Sequence, residues 1–181
     1  FMGCSGIGGV EIPDTVQRIG EQAFDGCTGL VHIELPSSVT TVAPYAFKDC
    51  ANLKSIVLSA SLGSLSSSVF MVCSALETIF MHADTQFDAT SLPASVSIIR
   101  WKTTEDGTLV ISGRGVIPAK DEYPWSGEKD AVLRVEFGEG ITEIGEDAFA
   151  GFESLALVKL PGSIIKLGVG AFRDCAALKK V

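Results

Sequence analysis

The chain has 181 residues, a formal net charge of -8 and a pI near 4.7, a balance that argues against a nucleic-acid partner, because phosphate binding draws on clustered Lys and Arg. No stretch reaches the roughly 18 consecutive apolar residues of a membrane span, and no cationic start precedes an apolar run as in a signal peptide. No membrane insertion by this segment is expected.

Taken in chain order, the sequence repeats itself. Phe1, Phe24, Phe47 and Phe70 fall on one series spaced by 23 residues, and Cys4, Cys27, Cys50 and Cys73 follow on a second series three residues later. A period held at so many positions predicts a repeat array in which each unit buries its face against its neighbours, so that length sets only the number of coils. Phe1 already occupies the phenylalanine position and Val181 a strand position, which predicts a piece of a longer protein.

The clearest coil runs from Ala23 to Tyr45, with apolar residues at Ala23, Phe24, Cys27, Leu30, Ile33, Leu35, Val39 and Val42. Ala23, Phe24 and Cys27 suit one helical turn of the tight 3₁₀ kind. Ile33 and Leu35 alternate with His32 and Glu34, the pattern of a short strand with one buried face. Pro36 ends that strand and Ser37-Ser38 opens a turn, after which Val39 and Val42 suit a second short extended segment. The template recurs at Ala46, Phe47, Cys50, Leu53, Ile56, Leu58, Leu62 and Leu65, and again at Phe70, Cys73, Leu76 and Ile79. Stacked coils place equivalent residues about 4.8 Å apart, so each apolar position becomes a ladder.

The period fails after residue 81. Phe70 and Phe149 stand 79 residues apart, three periods plus ten, and residues 82–91 are irregular before Leu92-Pro93-Ala94-Ser95-Val96 recovers half a repeat. Asp106-Gly107, between Trp101–Thr104 and Thr108–Ser112, signals a β-hairpin. The expected organisation is a first repeat block over 1–100, a hairpin interruption over 101–130 that closes one stack and opens the next, and a second block over 131–181. Trp101 and Trp125 are expected to cap exposed apolar ends by packing rather than by stacking on a ligand. The last coils read Ala148, Phe149, Phe152, Leu155, Val158, Leu160, Ile164 and Leu167, then Ala171, Phe172, Cys175 and Leu178.

Five cysteines, Cys4, Cys27, Cys50, Cys73 and Cys175, all hold one repeat position, which Phe152 fills in another coil. A position that accepts Cys or Phe is a buried apolar site, so a reduced stacked ladder is expected rather than disulfides. The residues Phe1 to Cys4 also resemble a bacterial lipid-attachment box, but the repeat already accounts for Cys4.

Catalytic constellations are hard to find. His82, Asp84 and Asp88 form the one cluster with ligand-like residues, and short acidic loops are ordinarily just solvated, so neither a metal nor a cofactor is assigned. Gly113-Arg114-Gly115 does not continue into a phosphate loop, and no GxSxG elbow is present. The expectation is a protein that is not an enzyme.

GEQAFDGCTGLVHIELPSSV, APYAFKDCANLKSIVLS and GEDAFAGFESLALVKLPGSI resemble the BspA-like leucine-rich repeats of surface proteins from bacteria and some mucosal protists. The resemblance covers residues 1–81 and 132–181 in register, and residues 101–125 resemble a segment seen before a new block of repeats. Departures are Phe152 for the cysteine, and Ser59 and Gly138 for the proline. The resemblance implies a repeat solenoid: a leucine-rich-repeat-like right-handed superhelix of 23-residue coils, β-rich with short 3₁₀ turns and interrupted by the hairpin. It implies an extracellular or cell-surface protein that adheres to a protein partner, host extracellular-matrix proteins included. Two other readings stay open: a structural stalk displaying other domains, and a carbohydrate- or metal-binding accessory module of a larger surface enzyme.

On such solenoids the residues between buried strand positions project from one extended face. By register these begin with Gly8, Gly9 and Glu11 and continue as Val31, His32 and Glu34, then Lys54, Ser55 and Val57, then Glu77, Thr78 and Phe80. The second block offers Leu133, Arg134 and Glu136, then Ala156, Leu157 and Lys159. The column Glu11, Glu34, Val57, Phe80 turns from acidic to apolar, which makes Phe80 and Val57 the expected interface anchors.

Overall fold

A computed structural model describes residues 1–90, 92–119 and 123–181. The irregular segment 82–91 and the interruption 101–130 therefore lie partly outside the described residues. Two compact units are present, Phe1–Val96 and Ser97–Val181.

The first unit is a β-solenoid. Its strands are β1 (Arg18–Ile19), β2 (His32–Glu34), β3 (Thr41–Val42), β4 (Ser55–Val57), β5 (Ser64–Leu65), β6 (Thr78–His82) and β7 (Gln86–Phe87). β2, β4 and β6 pair in parallel, Ile33 against Ile56 and Ile56 against Ile79, which is the sequence period expressed as register. β1 pairs with β3 and β5 with β7 on other sides of the coil. The apolar template is the core: Phe24, Cys27, Leu30, Ile33, Leu35, Val39 and Val42 are all buried.

Each coil turns its corner through i to i+3 hydrogen bonds, Cys27 N–H to the Phe24 carbonyl and Leu30 N–H to the Cys27 carbonyl, both at 3.1 Å. The turn does not grow into a helix because left-handed residues flank it. Gln22 and Tyr45 precede the aromatic residue with φ 54° and 60°, and Gly26, Asp49 and Val72 follow it with φ 70°, 54° and 62°. At Ser67–Phe70 the corner extends into a 3₁₀ helix, with the Ser66 hydroxyl accepting from Ser68 N–H, and a second short 3₁₀ helix, Ser126–Glu128, follows Trp125 in the second unit. The rings of Phe1, Phe24, Phe47 and Phe70 stack nearly parallel at centroid separations of 5.3, 5.1 and 6.3 Å.

The second unit opens on the expected hairpin. β8 (Ser97–Thr103) and β9 (Thr108–Ile117) run antiparallel around Asp106-Gly107. The Asp106 carboxylate accepts from the Thr104 hydroxyl at 2.6 Å and from Thr108 N–H at 3.3 Å, and Gly107 takes φ 75°. β9 then templates parallel pairing along its length, Val135 against Leu109 in β10 (Arg134–Phe137) and Ile144 against Ile117 in β11 (Ile141–Ile144). β12 (Leu157–Lys159) and β13 (Lys166–Leu167) add the next coil. Gly113 is required by close approach: its φ is 116°, and a Cβ there would overlap the Ile98 carbonyl.

Trp125 departs from expectation. It is fully buried as a rung of the aromatic ladder, stacked on Phe149 at 5.7 Å, with Tyr123 on its other side at 5.3 Å and Phe172 continuing beyond Phe149. The residue is packing, as read, but it replaces the repeat phenylalanine instead of closing an end. Trp101 is half-buried on β8, in register with Ile111.

Candidate binding faces

The short parallel strands position the predicted face by fixing which side chains point away from the ladders. In the first unit Val31, Lys54 and Glu77 are exposed, one per coil, just before each strand. Lys54 N–H donates to the Val31 carbonyl and Glu77 N–H to the Lys54 carbonyl, both at 2.8 Å, so this column is held by backbone bonds between coils. Glu34 is exposed, while His32 is half-buried with Nδ1 at 2.7 Å from the Ser55 hydroxyl and 3.1 Å from the Ser55 carbonyl. His32 and Ser55 thus meet across neighbouring coils rather than standing open. Gly8, Gly9 and Glu11 are exposed.

Three expected face residues are corrected. Phe80 is fully buried, and Val57 and Thr78 are each 4% exposed. The alternation seen at Ile33 and Leu35 is replaced in β6 by burial of four consecutive residues from Thr78 to Met81. A strand buried on both faces reads as a continuous apolar run, and Ile79-Phe80-Met81 is such a run. That signal was present in the sequence and outweighs the column argument, so Phe80 and Val57 are core residues and not exposed anchors.

In the second unit Arg134 and Lys159 are exposed, with Glu136 and Leu157 half-buried between them. Arg134 pairs with Asp106 at 3.2 Å, and Lys159 lies 4.0 Å from Glu136. The outer column is repeated here: Ala156 N–H donates to the Leu133 carbonyl at 2.9 Å and Lys179 N–H to the Ala156 carbonyl at 3.1 Å, with Leu133 exposed.

The cysteines are free and act as hydrogen-bond donors. Cys27, Cys50, Cys73 and Cys175 each point Sγ at the carbonyl of the aromatic residue in the coil before, Phe1, Phe24, Phe47 and Phe149, at 3.0 to 3.2 Å. Burial pushes the Cys50 thiol up to about 12 and the Cys73 thiol up to about 11. They remain protonated at neutral pH, which suits donation and disfavours nucleophilic or metal-binding chemistry.

Among the described residues, no three His, Cys, Asp or Glu side chains gather to hold an ion. His82 Nδ1 lies 3.7 Å from Asp84, whereas Asp88 turns back to accept from Thr90 N–H at 2.9 Å, which lowers its carboxyl from the usual value. None of the described helices is long and apolar enough to cross a membrane. Gly113 and Gly115 serve close strand packing, against Ile98 and Ser97 respectively.

A cleft of about 460 Å³ lies in the first unit on the Phe70–Ser74 turn, walled by Leu76, Leu92, Pro93 and Val96. Leu92, Pro93 and Val96 among its walls belong to the half repeat that follows the loss of the period.

The family described as the BspA type leucine rich repeat region matches this chain in six copies, over residues 1–100 and 128–181. Among solved structures, a leucine-rich repeat protein from Eubacterium ventriosum is 31% identical over 46% of this chain and 23% of its own, with a TM-score of 0.44. The T. pallidum leucine rich repeat protein is 22% identical over 94% of this chain and 78% of its own, with a TM-score of 0.38. A leucine rich cell surface protein from Faecalibacterium prausnitzii is 17% identical over 96% of this chain and 66% of its own, with a TM-score of 0.31. The chain thus spans less than a quarter of the length of the Eubacterium protein. No curated protein matches the chain.

Proposed function

Because the chain belongs to the BspA-type leucine-rich repeat family, we propose that it is a non-catalytic binding domain of a cell-surface or secreted protein, which adheres to a protein partner such as a host extracellular-matrix protein. The observation that carries this reading is the outer column Val31, Lys54 and Glu77, exposed in successive coils and fixed by 2.8 Å backbone bonds from one coil to the next. A face already ordered by its own ladder loses little conformational entropy on binding, which is where much of the cost of association lies. Its mixed charge, Lys54 between Glu34 and Glu77, favours selection among partners and control of the on-rate.

The test is binding of the purified chain to an array of extracellular-matrix proteins and glycans, beside a Glu34→Lys, Lys54→Glu, Glu77→Lys variant. Since these side chains are exposed, the variant keeps its melting temperature within a few degrees. A saturable protein hit that the variant weakens tenfold or more supports the reading. A blank array, or an affinity the variant leaves unchanged, removes the strand face as the binding surface.

A further inference from the structure

We propose that the open edge of β2 takes up an extended, cationic segment of the partner protein, which adds to the sheet as one more strand. This deepens the binding reading above and rests on it. β2 pairs with β4 and ends its sheet, although residues 8–12 hold the strand position one period earlier. Where coils are laddered, the bonds recur at the period: Leu35 N–H donates to the Val57 carbonyl at 2.9 Å and Leu58 N–H to the Phe80 carbonyl at 2.8 Å. One coil earlier the same bond would run from Ile12 N–H to the Glu34 carbonyl, and it is missing among the described residues. The bond that precedes each strand is 2.8 Å from Lys54 to Val31 and from Glu77 to Lys54, but 3.4 Å from Val31 to Gly8.

The first coil thus parts from the second along the strand face while it stays attached elsewhere, through Gly3 N–H to the Asp25 carbonyl at 2.7 Å and Thr40 N–H to the Gln17 carbonyl at 2.9 Å. A groove of about 660 Å³ lies there, lined by residues 8–12 and 31–34. In a parallel ladder the backbone groups of successive residues point to opposite sides. Leu35 bonds toward β4, so Glu34 turns both its N–H and its carbonyl toward the groove, where neither meets a backbone partner among the described residues. An open strand edge of this kind is a template for another strand.

Two glycines keep the edge open. Gly8-Gly9 hold the place of Val31-His32, Lys54-Ser55 and Glu77-Thr78 in the following coils. Neither has a left-handed φ, and a Cβ at either would meet nothing within 4 Å, so neither the conformation nor the packing of this chain calls for glycine. Glycine at a strand position weakens the strand and lets another backbone come close. The charge of the groove selects the occupant. Glu11, Asp14 and Glu34 are exposed in a lining that has no Lys or Arg, and its one imidazole, His32, is turned to the Ser55 hydroxyl at 2.7 Å. An antiparallel segment exchanges both backbone bonds with Glu34 through one residue. Lys or Arg at alternate positions of that segment then stands on the face that carries Glu11 and Glu34, one register position in two coils.

The experiment titrates the whole chain, isotope-labelled at its amides, with the capped peptide Lys-Thr-Lys-Val-Lys-Thr-Lys at physiological ionic strength. Two control peptides accompany it: one with Glu in place of each Lys, and one with alternate backbone nitrogens methylated, which keeps the charge and removes the donors. The expected result is saturable shifts at the Gly8, Gly9 and Glu34 amides. Binding falls at least tenfold for either control peptide, for a Glu11→Gln, Asp14→Asn, Glu34→Gln chain, and for a Gly8→Val, Gly9→His chain, which melts no lower than the parent. No saturable shift, or equal binding by the methylated peptide or by the Gly8→Val, Gly9→His chain, overturns the proposal, as does a lower melting temperature for that chain. An array protein whose binding the Glu34→Lys, Lys54→Glu, Glu77→Lys variant weakens but the Gly8→Val, Gly9→His chain retains overturns the added strand alone. A chain that binds the peptide in the expected way while the array stays blank overturns the extracellular-matrix reading alone.

Discussion

Cys50 donates its thiol to the carbonyl of Phe24, 3.0 Å away in the preceding coil. The same relation joins Cys27 to Phe1, Cys73 to Phe47 and Cys175 to Phe149. The Phe24 carbonyl also accepts from Cys27 N–H within its own coil, so one oxygen ties the corner of a coil to itself and to its neighbour. A buried thiol replaces the water that a turn carbonyl would otherwise need.

Alkaline pH should therefore weaken the fold. The folded-state thiols of Cys50 and Cys73 are raised to about 12 and about 11 from an ordinary value of 9.0. A raised pKa means that the stabilisation is fully present below pH 9 and is lost as pH rises through 9 toward 11 to 12, because the unfolded chain releases those protons first. Urea midpoints measured from pH 8 to pH 11 should decline, and Cys50→Ser, which keeps a donor that does not titrate, should flatten the decline. An unchanged midpoint over that range would contradict the protonated ladder.

Phe47→Ala should destabilise the chain by about 3–5 kcal/mol. Phe47 is fully buried and stacked between Phe24 and Phe70, so the change removes a central rung without altering the exposed column. Urea unfolding followed by circular dichroism measures it, and a loss below about 1 kcal/mol would show that the rings do not carry the stack.

Val72→Gly should stabilise the chain by about 1 kcal/mol, the relief of a left-handed β-branched residue less the entropy of the added glycine. Asp at this position, as at Asp49 and Asp174, should give part of the gain. Thermal melts of the three chains decide it, and a lower melting temperature for Val72→Gly would show that the left-handed backbone at Val72 is not strained.

Gly113→Ala should cost more than about 2 kcal/mol, because a side chain there combines left-handed strain with the loss of close packing. The backbone sits at φ 116° and the new Cβ would overlap the Ile98 carbonyl between β8 and β9. Hydrogen exchange of β9 amides reports it, with protection expected to fall throughout the second unit's first strands.

Most of the fold was legible in the sequence because a period of 23 residues is also a register: Ile33, Ile56 and Ile79 had to align once their coils stacked, and β2, β4 and β6 pair at those residues. The single repeat position of the cysteines likewise announced a reduced ladder, and Asp106-Gly107 announced the hairpin. The candidate face was legible in part. Val31, Lys54 and Glu77 follow from counting, since a residue just outside each strand repeats with the strand.

What counting could not decide was environment, which changes along a solenoid where the period breaks. Phe80 shares a column with Glu34, yet Phe80 is buried and Glu34 exposed, because β6 is covered on both faces whereas β2 is covered on one. Trp125 became a rung of the ring ladder by spatial stacking alone, 24 residues before Phe149 rather than 23. Phe70 ends its row of parallel rings edge-on against Phe87, a partner that stands off the 23-residue series. Sequence periodicity fixes contacts between like positions; what lies against the last of them is a matter of three-dimensional packing.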